Sequence, residues 1–124
     1  MTETVTSETP DGANVPERPV RLDDVSDYED LVAEHDLVLL ELFTSGCGIC
    51  QSMEPVLGLV ARVAPGAVAM VNAGLVPELA TRFRVQSVPT LVVLREGDEV
   101  ARLDDGFQSA ETLVDLLESH AESA

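Results

Sequence analysis

Residues 38–50 read VLLELFTSGCGIC, and this stretch decides how the chain folds. The segment 38–43 is almost continuously apolar, as expected of a central β-strand that is covered on both faces. Glu41 is the one charged residue within it. After a short polar link, apolar residues recur at helical spacing over residues 53–64, which predicts a helix that begins near Cys50. The two cysteines of the chain therefore lie where a buried strand passes into a helix.

Short apolar runs alternate with helical patterns along the rest of the chain, which is typical of an α/β protein. From residue 20 onward we expect the order strand, helix, strand, helix, strand, helix, strand, strand, helix. Three helix starts are indicated by capping or first-turn signals, namely Ser26 with Glu29 three positions later, Pro77, and Ser109. Residues 1–19 are rich in Thr, Ser, Glu and Pro and are expected to form a disordered acidic tail, so that one domain spans residues 20–124.

The charge balance limits the classes of partner. The chain has 124 residues, with 7 basic and 23 acidic side chains and a formal net charge of −16. Such a charge repels nucleic acid and anionic membrane surfaces, so neither is expected to bind. All the basic residues are arginine, and an acidic, lysine-free surface resembles cytosolic proteins of salt-accumulating archaea. The alternative is a mesophilic protein with an acidic tail and biased codon usage.

The expected location is cytoplasmic. The first residues, MTETVTSETPDGANVPERP, lack the basic start and the apolar run of a secretory signal. No later apolar stretch approaches the ~18 uninterrupted residues that cross a bilayer. In a reducing compartment a pair of cysteines two residues apart is more often catalytic or metal-binding than structural.

The pair Cys47 and Cys50 is the candidate reactive site. Two cysteines at a helix start are close enough to form a disulfide, and the free amides and positive dipole of the helix favour a thiolate on the first of them. Cys47 would then attack a substrate disulfide and Cys50 would displace the reduced product. The competing interpretations are half of a metal site, a structural disulfide, and two ordinary core thiols. Zinc usually takes four ligands, and His35 and His120 lack partners at ligand spacing, so we expect no metal within one chain, although one bridged between two chains stays open.

A second motif, Val88-Pro89-Thr90, precedes the fourth predicted strand. With the cysteine pair, Pro55 in the following helix, the hairpin at Gly97 and Gly106 before the last helix, it makes the chain similar to the thioredoxin family from about residue 20 to the end. The resemblance implies the thioredoxin fold, an α/β architecture with a central mixed sheet of about four or five strands and about four flanking helices. It also implies that Pro89 is cis and lies beside Cys47, where it blocks metal capture by the cysteines.

The resemblance implies roles for the site residues. Glu41 stands where thioredoxins usually carry a buried aspartate that exchanges protons with the resolving cysteine, and burial would raise the pKa of such a carboxyl. The alternative is that Glu41 points into solvent from an edge position. The catalytic residues would be Cys47, Cys50 and Glu41, without a cofactor beyond their disulfide. The substrate groove would be formed by Gly46, Gly48, Ile49, Val88, Pro89 and Gly106.

Several positions depart from the family pattern. The usual tryptophan before the first cysteine is Gly46, the usual proline between the cysteines is Ile49, the usual basic residue after them is Gln51, and the lysine that accompanies the buried acid is Met70. We expect a monomeric reductase of protein disulfides, recharged by a flavin thioredoxin reductase or a similar donor. It could be general or dedicated to one client, such as a peroxiredoxin or a methionine sulfoxide reductase. The alternatives are a binding module with incidental thiols and a redox sensor with little turnover.

Overall fold

The computed structural model describes residues 15–121, which contain five strands and four helices in the predicted order. They are β1 (Val20–Leu22), α1 (Val25–Glu34), β2 (Leu37–Phe43), α2 (Gly48–Val63), β3 (Ala67–Asn72), α3 (Pro77–Arg82), β4 (Thr90–Arg95), β5 (Asp98–Leu103) and α4 (Ala110–Ala121). The element order and the α/β fold class are thus confirmed. The tail expected over residues 1–19 lies largely outside the described residues, and residues 15–19 form neither helix nor strand.

The strands form one mixed sheet in the order β1-β3-β2-β4-β5. β3 pairs with β1 and with β2 in parallel, whereas β4 pairs antiparallel with β2 and with β5. β2 is therefore the central strand, which explains why its sequence is almost continuously apolar. The hairpin between β4 and β5 turns at Glu96 and Gly97, which both have positive φ (54° and 86°), as a type I′ hairpin turn requires.

Two hydrophobic clusters cover the two faces of the sheet. Alternate residues of β2 point to opposite faces, so Val38, Leu40 and Leu42 join one cluster while Leu37 and Leu39 join the other. The first cluster includes the buried residues of α1 and α3, and the second includes those of α4 and, apart from Cys50, those of α2. Because helices cover both faces, a charged residue on β2 has no solvent to point into.

The predicted start of α1 is wrong. The N-cap is Asp24, whose carboxylate accepts a hydrogen bond from the Asp27 backbone N–H at 2.8 Å. The Asp27 carboxylate in turn accepts from the Asp23 N–H at 2.9 Å, so Asp27 is bonded to both residues that precede the helix. This arrangement takes the place of the predicted capping box of Ser26 and Glu29, because aspartate caps a helix as well as serine does and stands earlier in the chain.

The last helix begins as predicted. Ser109 precedes α4, and its hydroxyl accepts from the Thr112 backbone N–H at 3.1 Å. Leu113 and Leu117 form the buried side of α4 and lie in the same cluster as α2. Among residues 15–121, no helix is both long enough and apolar enough to span a membrane.

Candidate active site

Cys47 and Cys50 form a disulfide at the start of α2, with 5.2 Å between their Cα atoms. Cys47 is the N-cap of the helix, and its sulfur accepts a hydrogen bond from the Cys50 backbone N–H at 3.1 Å. Cys47 is half-buried, whereas Cys50 is only 3% exposed. The two sulfurs therefore differ in access, and the outer one lies at the positive end of the helix dipole.

The link between β2 and α2 is held by a side chain from β3. Asn72 donates from its side-chain amide to the Ser45 hydroxyl at 3.2 Å, which fixes the loop that leads to the cysteines. Gly46 has a φ of +81°, a region that favours glycine over any residue with a side chain. The backbone thus gives a physical reason for glycine at the position where the family usually has tryptophan.

The Val88–Pro89 peptide bond is cis, the geometry that the resemblance implies. Pro89 is buried, and the next residue, Thr90, donates from its hydroxyl to the Ser87 carbonyl at 2.7 Å. Thr90 pairs with Leu42 on the neighbouring strand, so Pro89 lies next to the C-terminal end of β2. The cis-proline loop and the cysteine loop therefore leave the sheet side by side.

A third segment, residues 104–108, contacts the cis-proline loop and helix α2. The Ser87 hydroxyl donates to the Asp104 carbonyl at 3.3 Å, and the Gln108 backbone N–H donates to the sulfur of Met53 in α2 at 3.5 Å. Gly106, in the middle of the segment, has a φ of +105°. Segment 104–108 is thus hydrogen-bonded both to the cis-proline loop and to α2, the helix that begins at the cysteines.

The expected groove residues differ in exposure. Ile49 is 47% exposed, Gly46 and Gly48 are exposed, and Val88 and Gly106 are partly buried. Two further exposed apolar residues were not predicted from the sequence. Phe107, which is 53% exposed, lies on segment 104–108, and Leu75, which is 78% exposed, lies on the loop between β3 and α3. Phe107 directly follows Gly106, and that neighbour was the available signal. No sequence signal pointed to Leu75, because only the folded chain brings its loop to the site, through hydrogen bonds from Asn72 to Ser45 and from the Ala73 N–H to the Phe43 carbonyl.

Glu41 is fully buried on the sheet face that α2 and α4 cover, so the solvent-facing alternative is wrong. Met70 of β3 and Leu91 of β4 lie on either side of it. Neither carboxyl oxygen has a hydrogen-bond partner among the described residues. Loss of hydration, together with the nearby charge of Glu54, raises the pKa of Glu41 to about 7, and Arg21 acts in the opposite direction.

This buried carboxyl makes the stability of the oxidised protein depend on pH. Its pKa is about 7 in the folded chain against an ordinary value of 4.5, so the folded state holds a proton that the unfolded state has lost. The contribution of Glu41 to the free energy of unfolding is therefore fully present below about pH 4.5 and falls as the pH rises to about 7. Between pH 5 and pH 8 the free energy of unfolding of the parent should decrease through Glu41. In Glu41→Gln this decrease should be smaller by on the order of 2–3 kcal/mol.

Urea unfolding at the two pH values measures this difference. Glu111→Gln on α4 is the matched control, because its side chain is exposed and the variant should keep the pH dependence of the parent protein. An unchanged pH dependence in Glu41→Gln would mean that another group is responsible.

A candidate metal centre was also sought in the described part of the chain. Within residues 15–121, no group of three or more His, Cys, Asp or Glu side chains is placed to hold a metal ion. His35 caps the C-terminal end of α1 and His120 lies in the last turn of α4, so the two histidines belong to different helices.

Comparison with known proteins extends the local geometry to the whole domain. The family model described as Thioredoxin matches residues 19–119. The thioredoxin of Chlamydia caviae is 35% identical over 86 residues, which cover 68% of this chain and 83% of that protein. Thioredoxin C-3 of Corynebacterium nephridii is 33% identical over 101 residues, which cover 80% of this chain and 69% of that protein.

The structural comparison agrees. A mutant thioredoxin from Halobacterium salinarum NRC-1 superimposes with a TM-score of 0.84 at 31% identity, covering 91% of this chain and 99% of that one. With a cysteine pair at disulfide distance and at the active-site spacing of thioredoxins, the protein is a thiol-disulfide oxidoreductase that reduces protein disulfides. Its sequence, its fold and its cysteine pair all lead to one assignment: the chain belongs to the thioredoxin family.

Proposed function

We propose that Cys47 is the attacking and Cys50 the resolving cysteine. The observation that carries this assignment is the unequal access of the two sulfurs, since Cys47 is half-buried at the helix start and Cys50 is 3% exposed. A client disulfide can approach the outer sulfur, whereas the inner one can be reached only by the sulfur already bonded beside it. The 3.1 Å hydrogen bond from the Cys50 N–H to the Cys47 sulfur stabilises negative charge on the attacking atom.

The reaction then proceeds in two exchange steps. The Cys47 thiolate attacks one sulfur of the client disulfide, forming a mixed disulfide and releasing the other client sulfur as a thiolate. The Cys50 thiol loses its proton and attacks the Cys47 sulfur, which re-forms the Cys47–Cys50 disulfide and releases the second client thiolate. Two electrons pass to the client, whose thiolates take up protons. A reductase that supplies a dithiol or a flavin would restore the reduced pair.

Glu41 is the proposed acceptor of the Cys50 proton. It is fully buried on the face that α2 covers, and its pKa of about 7 allows it to take up and release a proton near neutral pH. Its oxygens are engaged by no other described residue, so the carboxylate is available to an incoming proton.

The client is proposed to bind as an extended peptide across the cysteine loop, the cis-proline loop and segment 104–108. Ile49 and Val88 supply apolar contact, and the backbone beside cis-Pro89 supplies hydrogen-bonding groups. Gly46, Gly48 and Gly106 leave room for the client backbone, since the space that a Cβ would occupy is open at all three positions. Phe107 adds an exposed ring next to Gly106 and extends this groove.

We also propose that the protein is a cytoplasmic monomer that works in concentrated salt, with residues 20–124 as its domain. Its net charge of −16 and the absence of lysine support the salt environment, because molar salt screens the repulsion between carboxylates over about 3 Å. The similarity to the Halobacterium salinarum thioredoxin supports the same setting.

Trapping of clients tests the assignment of the two cysteines. A Cys50→Ser variant cannot resolve the mixed disulfide, so it should accumulate client proteins bonded to Cys47, and dithiothreitol should release them. Cell extract incubated with the reduced variant and separated on a non-reducing gel provides the measurement. Cys47→Ser is the matched control and should trap few proteins, because Cys50 is 3% exposed.

Partner binding, measured beside the trapping, distinguishes the alternatives. A binding module would retain its partner through either substitution and without a covalent bond. A redox sensor would bind its partner with very different affinity in the oxidised and reduced states and would reduce few disulfides. Trapping by Cys47→Ser as efficient as by Cys50→Ser would contradict the assigned order of attack.

A further inference from the structure

Glu41 lies in a row of side chains that crosses three strands. Arg21 of β1 pairs with Met70 of β3, and Met70 pairs with Glu41 of β2. Residues paired across neighbouring strands point to the same face of the sheet, so Arg21 and Glu41 share a face with Met70 between them. Two strand spacings separate the Arg21 and Glu41 backbones, which is about 10 Å.

The side chain of Arg21 reaches across β3 towards β2. Its guanidinium lies 5.5 Å from the centre of the Phe43 ring, and Phe43 stands two residues after Glu41 on the same strand. Because residues two apart on a strand share a face, the guanidinium has passed over Met70 to the side where Glu41 is buried. The charge of Arg21 therefore lies over the face of the sheet on which Glu41 is buried.

Glu54 meets Arg21 from the helix. A carboxylate oxygen of Glu54 lies 3.7 Å from a guanidinium nitrogen of Arg21. Glu54 follows Cys50 by four residues, which places the two one turn apart along α2. The side chains of Arg21 and Glu54 are 61% and 52% exposed, so their ion pair lies at the protein surface.

We propose that the surface ion pair of Arg21 and Glu54 sets the proton affinity of the buried Glu41, with each charge acting in the opposite sense to the other. Arg21 supplies from β1 the positive charge that Met70 does not supply from β3. Both residues are positioning residues that act through Glu41 and touch no substrate. Their relevance to the reaction rests on the role proposed for Glu41. Their effect on the protonation of Glu41 does not depend on that role.

The surroundings of Glu41 contain few other charges. Neighbouring strands place Met70 and Leu91 beside it, and α4 contributes Leu113 and Leu117 to this layer. Among residues 15–121, the charged groups that act on it are Glu54 from α2 and Arg21 from β1, since Cys47 and Cys50 are joined in a disulfide and carry no charge. In agreement with this geometry, Glu54 raises and Arg21 lowers the pKa of Glu41. Removal of either member alone therefore shifts the balance in one direction.

Direct titration of Glu41 tests the proposal. The carboxyl ¹³C resonance of Glu41 is followed against pH in the oxidised protein at low salt. Arg21→Gln should raise the midpoint and Glu54→Gln should lower it, each by roughly 0.3–1.2 pH units, as expected for a unit charge about 10 Å away in an effective dielectric between about 80 and 20. Arg21→Lys should restore most of the parent midpoint, because it returns the positive charge.

The chain contains a matched control pair. Arg82 and Glu29 lie 3.9 Å apart, and the Arg82 guanidinium lies 5.6 Å from the centre of the Tyr28 ring, so the same constellation occurs between α3 and α1. It belongs to the opposite side of the sheet, where Tyr28 is part of the other core cluster. Arg82→Gln should leave the Glu41 midpoint unchanged.

The outcomes separate this proposal from the proposed function. Midpoints that do not move, or that move in the same direction in Arg21→Gln and Glu54→Gln, would overturn it. Opposite shifts in the titration support it. If the pH dependence of mixed-disulfide resolution follows those shifts, the role of Glu41 is supported too; if it does not, that role fails while the electrostatic control stands.

Discussion

Replacing Cys47 by serine should abolish the acceleration of insulin reduction, so that the reaction proceeds at the rate of dithiothreitol alone. A hydroxyl at this position is far less nucleophilic than a thiolate and cannot form the mixed disulfide. Since both exchange steps pass through the Cys47 sulfur, we expect a loss of more than about 100-fold. Turbidity of the precipitating insulin chains measures the rate.

The controls use neighbouring hydroxyls. Ser45→Ala removes the acceptor of the Asn72 hydrogen bond but leaves both sulfurs in place, so most of the activity should remain. Ser52→Ala on the exposed side of α2 should behave like the parent protein. Full acceleration by Cys47→Ser would remove the enzymatic interpretation of the cysteine pair.

Replacing Glu41 by glutamine should slow the second exchange step much more than the first. A positioned base commonly contributes about 10²–10⁴-fold to a proton transfer, and only the Cys50 thiol has to lose its proton inside the protein. We therefore expect resolution to slow by about 100-fold or more, with a much smaller effect on attack by Cys47. In the parent, the resolution rate should rise with pH as Glu41 ionises near its pKa of about 7.

A symmetrical aryl disulfide with a coloured thiolate product separates the two steps in stopped flow. The first equivalent of colour reports attack by Cys47, and the second reports resolution by Cys50. Glu41→Asp is the matched variant, because it keeps a carboxyl on the same strand and should retain a pH-dependent second step. Equal slowing of both steps by Glu41→Gln would indicate that the side chain is structural.

The buried strand explains how much of the fold could be predicted. A run that is apolar at nearly every position, as in residues 38–43, is typical of a strand covered on both sides, and its alternation with helical patterns indicated the α/β class. The same run made burial of Glu41 the favoured interpretation, and its 0% exposure agrees. The start of α1 was predicted wrongly because Asp24 and Ser26 are both good caps, and only backbone geometry chooses between them.

Residues near one another in the chain carried the rest of the sequence-based argument. The spacing of Cys47 and Cys50 at a strand-to-helix junction brings the two sulfurs together through local geometry alone, and Ser109 caps α4 in the same local way. Only the folded sheet places Arg21 beside Glu54 and over Phe43, because strand order β1-β3-β2 joins segments far apart in sequence. Local hydrogen bonds and side-chain periodicity are determined by residues that are neighbours in the sequence. The electrostatic surroundings of a buried carboxyl depend instead on which distant strands and helices pack around it.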